Sequence, residues 1–375
     1  MRSRSRLACS ALSLLIVTGA GLGALPAWAT DIDAELAAIQ GKILGHGPHG
    51  EIPVPGSSIQ LTDEEISKVK AMKATAAIVM HYGGNDWSQA QIDGQKAEFA
   101  RLGIEVLAVT DAGFKPDKQV SDIETVMARK PNIIVSIPTD PAATAAAYKQ
   151  AAAAGVKLVF IGNVPPGMEQ GKDYVSVVGS DDFGNGMVAG LLMAKSLGGK
   201  GNIGAVFHAA DFFVTRDRYA GFKAAIAKFP DMKLIAEQGI GGPDFPGDAE
   251  KAASAMLTTH KDIDAIWAVW DVPAEGVLAA ARGMSKSGVQ IFTEDLGLNV
   301  ALDMAKNGMV KGLGGQVPYD QGVTEARLAA YGLLGKPAPA AVALGALPVT
   351  KANLLDAWKA VYHADAPAKL LGAMQ

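Results

Sequence analysis

Beyond residue 74, short apolar runs rich in Val and Ile alternate with Ala-rich helical stretches, each bounded by Gly, Pro, Asp or Asn. No other feature constrains the fold as strongly. Near-continuous apolar strands separated by single helices belong to parallel sheets covered on both faces. The runs predict strands over 76–81, 104–109, 133–137, 157–161 and 175–178, then over 203–207, 233–238, 265–269, 290–293 and 310–314. Helices are predicted over 89–101, 118–128, 142–153, 186–196, 218–228, 249–258 and 274–282. One open sheet of all these strands would be unusually wide. Two series joined by the Pro- and Gly-rich segment 163–173 fit better, which makes the expected fold α/β, with two similar lobes and mainly parallel sheets. Ligands of such sheets bind beyond the carboxyl ends of the strands, so the residues after each run are where a site is sought.

Residues 30–73 precede this rhythm. They read as a short helix over 33–39, a Gly/Pro/His loop over 41–57, and a helix toward Met72 that opens on the capping pattern Thr62-Asp63-Glu64-Glu65. Earlier still stand Arg2, Arg4 and Arg6, an apolar stretch over 7–25 broken by Gly19, Gly21 and Gly23, and then Ala27-Trp28-Ala29. That order is expected of a secretory signal peptide over 1–29, and the glycines and Pro26 argue against a membrane anchor. The one cysteine, Cys9, precedes most of the apolar stretch and leaves with the leader. The remaining chain then holds neither a disulfide framework nor a thiolate zinc site, a composition suited to an oxidising periplasm. The net charge of −4 becomes −7 without the three leader arginines. No basic face for nucleic acid or an acidic membrane is expected.

Polar and aromatic residues cluster after the strands. The first run leads to Tyr82, Asn85, Asp86, Trp87 and Ser88, the third to Pro138-Thr139-Asp140-Pro141 and the fourth to Gly162-Asn163. In the second series the runs lead to His208, Phe212, Phe213 and Arg218, then to Trp270-Asp271, Glu294-Asp295 and Gln316. Carboxylates, amides and an arginine beside indole and phenyl rings suit a polyhydroxylated ligand. The polar groups pair with adjacent hydroxyls, and the rings pack on C–H surfaces. Asp140 and Asp295 also fit helix N-caps, and Trp87 and Trp270 also fit core positions. Arg218 also fits a surface ion pair with Asp211 or Asp217. Asp181 and Asp182 read more readily as caps, and Phe212 and Phe213 read equally as cleft wall or packing. His46, His49 and Glu51 lie too loosely on a glycine-rich loop for a metal site, and no catalytic or phosphate-loop motif is present.

Asn85-Asp86-Trp87, Pro138-Thr139-Asp140, Gly179-Ser180-Asp181-Asp182, Arg216-Asp217-Arg218-Tyr219-Ala220-Gly221-Phe222, Trp270-Asp271, Asp295 and Gln316-Val317-Pro318 follow one another in a familiar order. The series resembles the ribose-binding-protein family, the periplasmic solute-binding components of ABC sugar importers, over about 74–351. The resemblance implies type I periplasmic binding protein architecture, two lobes joined by three crossings. Lobe 1 would hold 74–164 and 317–347, and lobe 2 would hold 165–316 and 348–375 with a C-terminal helix over 352–362, residues 30–73 being an N-terminal extension. It places the ligand on Asn85, Trp87, Asp140, Asn163, Arg218, Trp270, Asp295 and Gln316, with no cofactor, no metal and no catalytic residue. Ser88 and Trp270 depart from the ribose binders, which favours another ligand. The expected protein is a monomeric periplasmic receptor for a neutral sugar or polyol. It would serve an inner-membrane ABC permease, and a membrane chemoreceptor or sensor kinase is compatible with the same role. A secreted sugar-modifying enzyme on the same frame, using Asp140, Asp295 or His208, is the alternative.

Overall fold

The computed structural model describes residues 27–375. The expected leader lies outside the described residues except for its last three, which open the first helix. In chain order the strands are β1 (Val54–Pro55), β2 (Thr75–Met80), β3 (Glu105–Asp111), β4 (Ile133–Ser136), β5 (Lys157–Ile161), β6 (Ser176–Ser180) and β7 (Lys200–His208). There follow β8 (Asp231–Ile240), β9 (Ala265–Ala268), β10 (Gln290–Glu294), β11 (Val310–Gly315), β12 (Ala341–Leu344) and β13 (Leu347–Val349). The helices are α1 (Ala27–Ile39), α2 (Asp63–Met72), α3 (Asp86–Arg101), α4 (Pro116–Ala128), α5 (Pro141–Ala153), α6 (Asp182–Leu197) and α7 (Phe213–Ile226). The rest are α8 (Phe245–Thr259), α9 (Asp271–Gly283), α10 (Leu298–Ala305), α11 (Pro318–Leu334), α12 (Leu354–Tyr362) and α13 (Ala368–Ala373).

The strands form two sheets, ordered β1-β12-β6-β5-β4-β2-β3 and β13-β11-β10-β9-β7-β8. All pairings are parallel except β11 with β13. Each sheet has helices on both faces, which is why its strands are apolar on both sides. In lobe 1, Ile78, Val135 and Val159 face Phe99 of α3 and Leu328 of α11, while Ala77, Ile134 and Phe160 face Tyr148 of α5. In lobe 2, Trp267 of β9 packs flat against Phe222 of α7, ring centroids 4.8 Å apart.

Strand membership moves one expected boundary. β6 pairs with β5 and β12 in the first sheet, so the chain leaves lobe 1 after Ser180 and not at residue 164. The segment 163–173 is a loop within lobe 1, because β5 and β6 are sheet neighbours on either side of it. Three crossings result, at Ser180–Asp182, Gly315–Pro318 and Leu344–Leu347. The N-terminal extension belongs to both lobes. α1 buries Ile32, Leu36 and Ile39 in the lobe 2 core, whereas β1 extends the first sheet and α2 buries Val69 in lobe 1. The Thr62–Glu65 capping box forms as its sequence predicts.

Two glycines fix how closely α6 and α7 approach. A Cβ on Gly186 would lie 1.9 Å from the Arg218 carbonyl oxygen, and one on Gly221 would lie 2.0 Å from that of Phe183. Gly221→Ala is therefore expected to push the helices apart and cost at least about 1–3 kcal/mol, the range for overpacking. Urea denaturation measures this, and an unchanged midpoint would show that the helix contact is compliant.

Candidate functional site

A cavity of about 620 Å³, including its solvent-facing part, lies between the lobes at the carboxyl ends of both sheets. Lobe 1 lines it with His81, Tyr82, Asn85 and Trp87 after β2, Phe114 after β3, and Gly162, Gly179 and Ser180 at the ends of β5 and β6. Gln321 of α11 joins them. Lobe 2 adds Asp182, Phe212, Thr215, Arg218, Trp270, Asp271, Asp295 and, from the second crossing, Gln316. Most of these residues directly follow a strand, where an α/β sheet leaves its helix N-termini and loops free to meet a ligand.

Arg218 organises the lobe 2 wall. It sits one turn into α7, and the close approach of α6 and α7 brings Asp182 within 3.0 Å, so that Nε donates to Asp182 Oδ1. Nη1 donates to Asp295 Oδ2 at 3.0 Å and to the Val269 carbonyl at 3.3 Å, and Glu294 Oε2 lies 3.2 Å from Nε. Gln316 Nε2 donates to the other Asp295 oxygen at 2.6 Å, and Trp267 Nε1 donates to Glu294 Oε1 at 3.2 Å. Asp295 stands on left-handed backbone with φ 64°, a conformation that Asp tolerates better than most residues. Burial works against the Arg218 charge, yet Asp295, Asp182 and Glu294 together push its pKa up. Burial also raises Asp182 to about 7, against the pull of Arg218, and raises Glu294 and Asp271 well above the usual carboxylate range.

The lobe 1 wall is aromatic and has polar atoms to spare. His81 Nδ1, Trp87 Nε1 and Gln321 Oε1 are buried without a hydrogen-bond partner among the described residues. His81 packs edge-on to Phe114 at 4.7 Å and stacks on Phe212 at 5.8 Å. Burial lowers His81 to about 3, helped by nearby His208, and lowers His208 to about 4. Both rings are neutral at pH 7. His208 meets Thr215 Oγ1 through Nδ1 at 3.1 Å and is not itself a wall residue.

Of the eight residues that the resemblance places on the ligand, six line the cavity: Asn85, Trp87, Arg218, Trp270, Asp295 and Gln316. Asn85 also caps α3, accepting from Ser88 N at 2.8 Å. Trp270 is 8% exposed and joins the lobe 2 core, so it is both wall and core. Asp140 is a correction. It is exposed, and its Oδ1 caps α5 by accepting from Ala142 N and Ala143 N at 2.9 and 3.0 Å, because Pro141 starts the helix immediately after it. Asn163 is buried with both side-chain amide atoms unpartnered among the described residues, one residue past the wall at Gly162. Phe212 is wall, whereas Phe213 sits behind the crossing with the Arg216 guanidinium 5.8 Å from its ring centre.

Phe114 and Gln321 are wall residues that the sequence does not single out, Asp182 is one that it reads as a cap, and Asp271 is one that it names after its strand without assigning it to the ligand. For Asp182 a signal existed, since a helix start needs one cap and Asp181-Asp182 offers two. Asp181 takes the cap, accepting from Gly184 N at 2.9 Å, which frees its neighbour for the cleft.

Comparison with known proteins gives the family and the fold. A family model described as a periplasmic binding protein domain matches residues 76–337. The ribose import binding protein of Salmonella typhimurium is 28% identical over 226 residues, 60% of this chain and 73% of that one. A solute binding protein of an ABC transporter from Agrobacterium vitis, bound with alpha-D-tagatopyranose, superposes with a TM-score of 0.71 at 22% identity, covering 77% of this chain and 99% of the other. A second Agrobacterium vitis solute binding protein, with bound allitol, gives 0.67 at 25% identity over 76% of this chain and 98% of the other.

Two outcomes are expected from these charges. Arg218→Ala strands three buried carboxylates and should lower stability by about 3–5 kcal/mol in urea denaturation; a loss below 1 kcal/mol would mean that the carboxylates are already protonated without it. The histidines have folded pKa values below their unfolded value. The unfolded chain therefore binds more protons as pH falls from about 6.5 toward 4, and acidification destabilises the fold through them. His81→Gln removes one such group, so its thermal midpoint should fall less steeply over that window than that of the unaltered protein. Parallel curves would refute the burial effect.

Proposed function

The chain belongs to the periplasmic binding protein domain family, and on that premise we propose that it captures a sugar or sugar alcohol between its lobes and delivers it to an inner-membrane ABC import permease. One observation carries the reading. The cavity joins a fixed, polar lobe 2 wall around Arg218 to an aromatic lobe 1 wall with unpartnered His81, Trp87 and Gln321 atoms. Adjacent hydroxyls of a polyol satisfy such atoms, and its C–H faces cover the rings. The ribose import binding protein, and the A. vitis proteins with bound tagatopyranose and allitol, support the ligand class.

The mechanism is a change of population. Contacts from both walls act on one ligand only when the lobes are together, so binding energy stabilises the closed form, and the permease reads that form. Asp86 Oδ2 accepts from Leu298 N across the cleft mouth at 2.7 Å, and Asp320 of α11 meets His363 after α12 at 2.9 Å. Such contacts mark the closed surface that a permease, or equally a chemoreceptor or sensor kinase, would recognise. The protein works in the periplasm as a monomer and leaves its ligand chemically unchanged. An enzyme on this frame would need a proton donor and an acceptor beside the ligand. Of the three groups that reading would use, Asp140 lies outside the cavity, His208 lies outside its wall, and both Asp295 oxygens already accept from Arg218 and Gln316, which favours the receptor.

Calorimetric titration with pentoses, hexoses and alditols is expected to find a neutral ligand whose affinity depends little on salt, since no ligand charge is screened. Intrinsic fluorescence should change on binding. Trp87, half-buried, should weaken binding when replaced by Ala with a small loss of stability, whereas Trp270→Ala should cost both affinity and about 3–5 kcal/mol of stability. Binding confined to sugar acids and abolished by salt would defeat the ligand class, and a ligand recovered in altered form would make the protein an enzyme.

A further inference from the structure

The N-terminal extension lies outside the matched family region, yet it is anchored on both lobes. On lobe 2, the buried Ile32, Leu36 and Ile39 of α1 are reinforced by Asp33 with Lys195 and Glu35 with Lys228. On lobe 1, β1 pairs in register with Val342 and Ala343 of β12, and the Gln60 carbonyl accepts from the Tyr331 hydroxyl of α11 at 2.7 Å. The loop between these anchors passes the first crossing. There Leu44 N donates to Asp181 Oδ2 at 2.7 Å and Gly45 N donates to Asp181 Oδ1 at 2.8 Å.

Asp181 is 1% exposed and holds more than the loop. Its own N–H donates to the Leu344 carbonyl at 2.8 Å, at the third crossing, while Oδ1 also caps α6. One side chain and its backbone thus tie two of the three crossings to the extension. The next residue, Asp182, faces the cleft and pairs with Arg218.

We propose that the extension is a clasp across the hinge, with Asp181 as its positioning residue, and that it holds the lobes in their closed relation. A segment fixed to both lobes by buried apolar residues must release an anchor or strain when the crossings rotate, because packed interfaces are bistable and do not deform continuously. Hydrogen bonds from N–H to a buried carboxylate are among the stronger ones, so a form that separates Asp181 from Leu44 and Gly45 loses a substantial interaction. The clasp touches no ligand. It acts on how often the cleft is closed before a ligand arrives, and apparent affinity scales with that fraction.

The test separates the clasp from the α6 cap and from any ligand. Asp181→Asn keeps one acceptor oxygen for the cap but sets an amide NH₂ against the Leu44 N–H. Gly45→Pro leaves Asp181 intact, removes the second donor and crowds a position where an added Cβ would lie 3.0 Å from Asp181 Oδ1. Paired spin labels on Glu124→Cys of α4 and Lys251→Cys of α8, both exposed, report the lobe separation, with Cys9 the only cysteine to remove. In ligand-free full-length protein, both variants are expected to roughly double the population at longer distances relative to the unaltered chain. Distance distributions that match the unaltered chain in both variants would overturn the clasp, whatever the cleft binds. If Asp181→Asn fails to fold or the two variants disagree, Gly45→Pro decides.

Discussion

A guanidinium buried to 4% exposure has to be neutralised where it stands, and much of lobe 2 is arranged around that requirement. Taking an ion out of water costs several kcal/mol even after relaxation, and only well-placed partners recover it. Arg218 obtains them from α6 through Asp182 and from the end of β10 through Glu294 and Asp295, with the Val269 carbonyl after β9 as a further acceptor. Each contact depends on a backbone feature that the sequence supplies: glycines where α6 meets α7, and a left-handed residue at Asp295. Gln316 then ties the second crossing to Asp295. The lobe 2 wall is consequently stiff, and closure brings the aromatic lobe 1 wall onto a polar surface that is already set.

That division assigns different work to neighbouring residues. Asp181 and Asp182 are adjacent and both buried, yet one faces the extension and the third crossing while the other faces Arg218. Any movement of the first crossing therefore acts on the cleft and on the extension at once. Gly179, just before this crossing, borders both the cleft and the smaller space behind it.

Local pattern was enough for the sheets. The ten strands expected from apolar runs are β2 to β11; run length, Val and Ile content and the flanking Gly, Pro, Asp and Asn mark them, where periodicity alone does not part a buried strand from a buried helix such as α6. What local pattern could not reveal is non-local. β12 lies in Ala- and Pro-rich sequence and β1 is two residues long; both exist because an edge was available in the folded first sheet. β6 followed a Pro- and Gly-rich segment that looked like a boundary, and only pairing with β5 shows it as lobe 1. The site divides the same way. Arg218, Trp270, Asp295 and Gln316 follow strands of lobe 2 and reach the cleft, but Asp140 occupies the equivalent place after β4 and turns its carboxylate to α5. Asp140 and Asp182 are both acids at a helix start, but Asp140 is the one acid there and takes the cap, whereas Asp181 takes it in place of Asp182.

The charge of the cleft follows from burial more than from composition. Asp182, Asp271, Glu294 and Asp295 outnumber Arg218, and if all were ionised the wall would carry a large negative excess. Burial opposes that. It raises Asp182 to about 7 and lifts Asp271 and Glu294 well above the usual carboxylate range, which favours the protonated acids and reduces the excess charge. A carboxylic acid that keeps its proton can donate as well as accept, and a hydroxyl does both. An anion would gain little from a guanidinium already committed to its own acids, and each hydroxyl of a neutral polyol can pair with either kind of group. The same burial that makes the Arg218 cluster expensive thereby lowers the charge of the wall and leaves it a surface of mixed donors and acceptors.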